Sequence, residues 1–312
     1  MHTTANSTLL IRSEVWSNEL KEILRDELMA MQYVDWMTDF PDGDTFTIPS
    51  IGTGDVDDYV EDTDIVFRPL DTGEFQFSIT EYLSSGNYIT RKAQQDLFYA
   101  NQIMAKFVPE QERALMVRLE GDILKTAPDG QTAADTNLIN GQKHRFVGTG
   151  TSNVIAVEDF ARARLSLKKA NVPDNNLIAI VDPSVEFTLN TETNLANISN
   201  NPRWEGIVSD GIASGMKFVK NVYGFDVWQS NHLKLNAAET LETVAISGFA
   251  NNLFFSTAPG VSPFKGAWRQ MPQVDTEFNM KKQRDEIVTT ARYGLAFFRP
   301  ENMVIVPTQT SV

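Results

Sequence analysis

Apolar side chains along this chain change their period several times, and each change predicts an element. From residue 7 to about residue 37, Leu9, Leu10, Val15, Trp16, Leu20, Ile23, Leu24, Leu28 and Met31 recur at helical spacing, with charged residues largely between them. This predicts an amphipathic helix, with Ser13 placed as an N-cap. Its apolar stripe fits its own core and a neighbour's surface equally well. Over residues 44–49 the period shortens to two, the mark of a half-solvated strand. Residues 64–67 and 74–79 predict two return strands, with Asp71-Thr72-Gly73 as the turn between them. The helical period returns from residue 90 to about 125, where Ala93, Leu97, Ala100, Met104 and Phe107 form one stripe and Leu115, Leu119 and Ile123 continue it. Pro109 is expected to bend or split this helix, and Pro128-Asp129-Gly130 to end it.

Residues 129–153, rich in Gly, Asn and Thr, read as a loop or weak hairpin. Residues 157–170 are helical again, and Asn171-Val172-Pro173 stops them. Leu177-Ile178-Ala179-Ile180-Val181 is the short apolar run of a buried strand, and Asp182-Pro183 opens a helix. Residues 223–228, 243–246, 274–280, 286–295 and 303–306 predict further strands. The fold class is α+β.

Charge changes this picture. Residues 36–88 hold twelve carboxylates, one arginine and no lysine, a net charge of −11. Residues 1–35 add −3, and the other 224 residues balance 23 bases against 23 acids, so the whole −14 lies in the first 88 residues. So acidic a segment repels itself, and a long hairpin is marginal alone in water. Yet it holds Phe40, Phe46, Ile48, Ile51, Tyr59, Phe67, Phe75 and Phe77, several at strand spacing. Strand chemistry on an acidic ribbon predicts an arm that lies on something other than its own body.

Candidate chemistry is sparse. The chain has no cysteine, which excludes disulfides and thiolate sites. His2, His144 and His232 form no metal-ligand spacing, and there is no GxSxG, GxxxxGK[ST] or GxGxxG. Asp55, Asp57 and Asp58 resemble a calcium loop but lack its glycine and its bidentate glutamate. No metal, cofactor or enzymatic role is expected. The N-terminus does not read as a secretory signal, no apolar run is long enough to predict a membrane span, and the acidic balance argues against a sequence-independent grip on nucleic acid.

The order of elements, together with several short strings, resembles the major capsid protein of tailed bacteriophages, the Hong Kong 97-like fold. Gly43-Asp44-Thr45-Phe46-Thr47-Ile48-Pro49 is similar to the start of that family's extended loop. Residues 7–24 resemble the opening of its N-terminal arm, and residues 114–124, with Gly121-Asp122-Ile123, resemble the close of its spine helix. Residues 165–183, Tyr223-Gly224-Phe225-Asp226-Val227 with Ser230-Asn231, and Tyr293-Gly294-Leu295 with Arg299-Pro300-Glu301 and Val304-Ile305-Val306 follow further family patterns in the right order.

The resemblance implies an N-terminal arm over residues 1–35, an extended loop over 36–88, a peripheral domain from 89–151 and 269–312, and an axial domain over 152–268. It implies a non-enzymatic shell protein whose partners are its own copies, in pentamers and hexamers enclosing double-stranded DNA without reading its sequence. A portal, a separate scaffolding protein and a decoration protein are the other partners in view, in the virion and, during assembly, in the host cytoplasm. The extended loop would then dock on a neighbour. Its docking residues would be Phe46, Asp55, Asp57, Asp58, Glu61, Asp62, Phe67, Arg68, Phe75 and Phe77, and the receiving cations Arg91, Lys92, Lys281, Lys282 and Arg284. Exposed charge pairs contribute only about 0–1 kcal/mol each, so the rings would hold and the charges would set register. The loop has no lysine, so the lysine–asparagine crosslink of some relatives is not expected. The rival readings are an encapsulin-like nanocompartment shell, a tail component, and a two-domain soluble α/β enzyme.

Overall fold

A computed structural model describes residues 28–37, 45–52, 56–59, 61–62, 64, 67, 69, 72–96, 100–131, 137–191 and 221–310. After a 3-10 turn at Ala30–Tyr33 come β1 (Val34–Met37), β2 (Thr45–Ile51), β3 (Thr72–Ser78) and β4 (Glu81–Thr90). A short helix α1 (Arg91–Asp96) and a long helix α2 (Ala100–Gly130) follow. Then come β5 (Leu138–Ile139), β6 (Gln142–Lys143), α3 (Val157–Lys169), β7 (Leu177–Val181) and α4 (Pro183–Thr191). Strands β8 (Asn221–Val222), β9 (Phe225–Gln229), β10 (Glu239–Leu241), β11 (Val244–Ile246) and β12 (Ala250–Ser256) lead to three closing strands, β13 (Phe264–Asn279), β14 (Arg284–Phe297) and β15 (Val304–Thr308).

Two sheets carry the body. The five-stranded sheet has the order β15-β12-β7-β9-β8. Every residue of β7 is buried, and successive side chains serve opposite faces. Leu177, Ala179 and Val181 share a core with Phe160, Ala163 and Leu167 of α3 and Val185 and Leu189 of α4. Ile178 and Ile180 share the other core with Leu119, Ile123, Leu124 and Ala127 of α2. At the start of α3 the buried Asp159 carboxylate accepts from the Thr149 and Ala156 backbone N–H groups at 3.0 and 2.9 Å, satisfying donors that the helix leaves open.

The four-stranded sheet has the order β1-β13-β14-β4, and α2 crosses one of its faces. Polar clasps help to fix that crossing. The Gln111 amide donates to the Ile287 carbonyl at 2.9 Å and accepts from the Thr289 hydroxyl at 2.8 Å. The buried Tyr293 hydroxyl donates to Asp122 at 2.6 Å, and Arg118 and Lys125 hold the same carboxylate at 3.2 and 2.5 Å. On the opposite face Tyr82 and Tyr88 stand open. Gly294 lets the chain leaving β3 pass closely, since a Cβ there would lie 2.8 Å from the Ser78 carbonyl oxygen.

Several expectations are corrected. The helix expected to reach residue 37 is, over residues 30–37, a 3-10 turn and a strand; residues 1–27 lie outside the described residues. Asp64 and Phe67 are exposed and lie in no strand, so the first expected return strand is missing there. Thr72 and Gly73 are paired inside β3 and do not form a turn. Pro109 lies within α2, which continues past it to Gly130 and is not split there. β4, which begins within residues 36–88, belongs to the four-stranded sheet. β13 joins that sheet at Phe264, and β15 completes the five-stranded one.

Candidate docking surface

The ribbon of β2 and β3 begins where Thr45 faces Ser78 and runs to the Ile51–Thr72 pair. Alternation of polar and apolar residues puts one side of it on the body. Phe77 is 6% exposed, and the Phe75 ring meets the Phe298 ring edge-on at 5.0 Å. Phe298 also lies under the Lys265 ammonium, 4.8 Å from the ring centre, and Lys265 pairs with Asp35 at 2.9 Å. The ribbon root is therefore tied to its own subunit. Beyond it, Val56, Tyr59 and Phe67 are 96%, 76% and 92% exposed, and Asp57, Asp58, Glu61 and Asp62 are exposed among them. Of the other expected loop residues, Asp55 and Arg68 lie outside the described residues, and the Phe46 backbone pairs with Phe77.

The five expected cations come from two segments far apart in sequence, and the sheet brings them to one end. β14 starts at Arg284 opposite Thr90, the last residue of β4, and the Arg91 N–H donates to the Gln283 carbonyl at 3.0 Å. Lys281 and Lys282 occupy the turn between β13 and β14, where the Asn279 side-chain oxygen accepts from both their backbone N–H groups at 3.2 Å. Lys92, Lys281 and Lys282 are exposed and form no ion pair among the described residues. The two arginines are engaged at home. Arg91 stacks on Phe278 at 4.7 Å, while Arg284 stacks on Tyr88 at 4.2 Å and pairs with Glu286 at 2.5 Å. The Arg284 hydrogen bond holds the Glu286 carboxyl below its ordinary range. Asp285, which accepts from Gln94 at 2.6 Å, adds a second negative charge. Three lysines thus form the open part of the pole. Tyr88 and Phe278, which orient the arginines, went unpredicted; their signal was an aromatic residue facing a cation across strands that the sequence does not pair.

The two charged regions lie at opposite ends of one sheet. β4 begins at Glu81, just past the ribbon root, and ends at Thr90, beside the cations. Its ten residues span roughly 30 Å at about 3.3 Å per residue. No group of histidine and acidic residues that could hold a metal occurs among the described residues, and no helix there is long and apolar enough to cross a membrane.

No protein-family model matches the chain, and no curated protein does. Solved structures match over nearly its whole length. The capsid structure of the cyanophage P-SCSP1u aligns with TM-score 0.75 and 16% identity, covering 99% of this chain and 96% of that one. A chain from Mycobacterium phage Che8 aligns with TM-score 0.70 and 17% identity, covering 95% and 97%. The mature capsid of bacteriophage PhiM1 aligns with TM-score 0.68 and 10% identity, covering 98% and 94%. The chain has the fold of these phage chains.

Proposed function

We propose that this chain is the major capsid protein of a tailed phage, a structural subunit that closes into an icosahedral shell around double-stranded DNA. Whole-length likeness to phage capsid chains supports the class. The observation that carries the mechanism is the separation of an acidic, aromatic-bearing ribbon tip from a lysine pole at the far end of the same sheet. A surface whose two halves lie at opposite ends of a subunit cannot be satisfied within it. Joined head to tail, such ends produce rings when the rotation closes, which suits pentamers and hexamers of a Hong Kong 97-like shell. The α2 helix with the four-stranded sheet would be the peripheral part, and the five-stranded sheet with α3 and α4 the axial part.

The tip would dock through Phe67 and Tyr59, with Asp57, Asp58, Glu61 and Asp62 choosing the lysine pole of the next copy. Phe75 and Phe77, spent on their own body, would fix the ribbon's angle of departure. A portal, a separate scaffolding protein and a decoration protein complete the proposed set of partners. Assembly would take place in the host cytoplasm, and an acidic subunit would leave packaged DNA free to slide.

The test is a charge reversal confined to the open lysines. K92E/K281E/K282E should give a subunit with unchanged unfolding behaviour and, in negative-stain micrographs, no closed particles. Normal particles from that variant would reject the lysine pole as the receiving surface. R284E is left out because it would break the contacts with Glu286 and Tyr88 inside the subunit.

A further inference from the structure

Glu120 lies on α2 with 1% of its surface exposed. Each carboxylate oxygen is taken by a backbone N–H some ninety residues away in sequence: Met29 donates to Oε1 at 3.2 Å and Ala30 to Oε2 at 2.8 Å. These N–H groups lie at the start of the turn Ala30–Tyr33, where a helical turn has no internal acceptor for them. Glu120 therefore caps the turn from another element. Burial pushes its pKa up, against the pull of the two N–H groups and of the nearby His232; burial also raises the pKa of Tyr33, with Asp226 and, less, this carboxylate adding to it. An apolar side chain would fill the site without that desolvation cost. What the carboxylate adds is direction, two bonds aimed at successive N–H groups.

Downstream of this clasp the chain is tied at short intervals. The Trp36 indole donates to the Met31 carbonyl at 3.1 Å, the Ser262 hydroxyl donates to the Tyr33 carbonyl at 3.0 Å, and β1 runs parallel to β13 from Val34 to Met37. Residues 30–37 are thus part of the body. The sequence N-terminal to Met29 carries most of the long amphipathic stripe.

We propose that Glu120 is a positioning residue that fixes where, and in which direction, the N-terminal segment leaves the subunit, and so which surface of a neighbouring copy that segment reaches. The second half rests on the shell reading above; the clasp itself does not. Amide hydrogen exchange on the full-length subunit tests the clasp. In E120A, exchange at Met29 and Ala30 should quicken about ten-fold while the Ile123 and Leu253 amides keep their protection. E120Q, which retains one acceptor oxygen, should fall between E120A and the parent, and it decides the matter if E120A fails to fold. L119A, a core truncation one residue away, should loosen Ile123 and Leu253 along with the whole subunit. Electron microscopy reads the consequence: E120A should give particles of mixed curvature, L119A particles of one size in lower yield. Unchanged protection at Met29 and Ala30, or loss there only in step with the core, overturns the clasp. E120A particles identical to the parent's overturn the positioning role. If the parent chain forms no particles, the shell reading falls, and the exchange result still decides the clasp.

Discussion

The five-stranded sheet is covered on both faces, by α3 and α4 on one side and by α2 on the other; the longer four-stranded sheet is covered on one. The first is built from runs such as Leu177–Val181 and Ala250–Ser256, in which every residue is buried. The second carries Tyr82, Tyr88, Met271 and Met280 on its surface, with a ribbon at one end and lysines at the other. The first sheet is closed over β7 and β12, with Trp228 of β9 left 43% exposed near its edge. The second leaves apolar and charged side chains open to solvent.

Removing one ring from each sheet should separate these roles most strongly. Phe254 meets Phe160 and Phe225 edge-on at 5.1 and 5.3 Å and is fully buried. Phe254→Ala should cost about 3–5 kcal/mol in denaturant unfolding. Tyr88→Ala, at a residue 58% exposed, should cost under about 1 kcal/mol. Similar losses at both positions would erase the contrast. Tyr293→Phe comes next. It takes the hydroxyl donor from the buried Asp122, and the unfolding midpoint should report a loss of about 1–3 kcal/mol, with Arg118 and Lys125 still in place.

The smallest effects depend on pH, and the two regions respond with opposite sign. Asp174 is held at about 2 by hydrogen bonds from Arg164 and Lys168, below its ordinary 3.8. Its contribution is complete above pH 3.8 and fades as the pH falls through about 2. Its side chain is 35% exposed, so solvent screening keeps the worth of the pair under about 1 kcal/mol. Unfolding curves of D174N and the parent should differ at pH 6 and converge near pH 2. Glu120 is pushed above its ordinary 4.5 by burial. Its term is complete below pH 4.5 and is lost as the pH rises through the elevated value. Protection of Met29 and Ala30, corrected for intrinsic exchange rates, should therefore be higher at pH 4 than at pH 7. A trend in the other direction would show that the two N–H bonds outweigh desolvation.

In the five-stranded sheet β7, β9, β15 and the flanking helices were legible because local signals agreed, whereas β12, between β15 and β7, was not expected. An unbroken apolar run gave β7 and Asp182-Pro183 opened α4; outside that sheet, alternation over 44–49 gave β2 of the ribbon. β4 was not legible. Ser84, Ser85, Gly86 and Asn87 favour turns, and they are extended because ten residues of β14 pair with them. The opposite error fell at Asp64 and Phe67, which were expected to bound a strand and lie in none. Pro109 does not split α2, because a helix packed along Gln111, Leu115 and Leu119 tolerates the loss of one ladder bond. The lysines and the acidic tip were legible as charge. That the lysines meet Arg91, and that tip and pole lie at opposite ends of a sheet, required the long-range pairing of β4 with β14.

Cross-linking between copies tests the head-to-tail account most directly. The chain has no native cysteine, so two introduced ones report without background. D58C at the ribbon tip and K281C at the lysine pole, made in separate subunits, mixed during assembly and treated with a flexible bis-maleimide, should join as D58C–K281C heterodimers. The double variant should give a ladder of covalent rings. A double variant that stays monomeric on a denaturing gel, whether linked within one chain or not at all, would contradict docking of the tip on the next copy's pole.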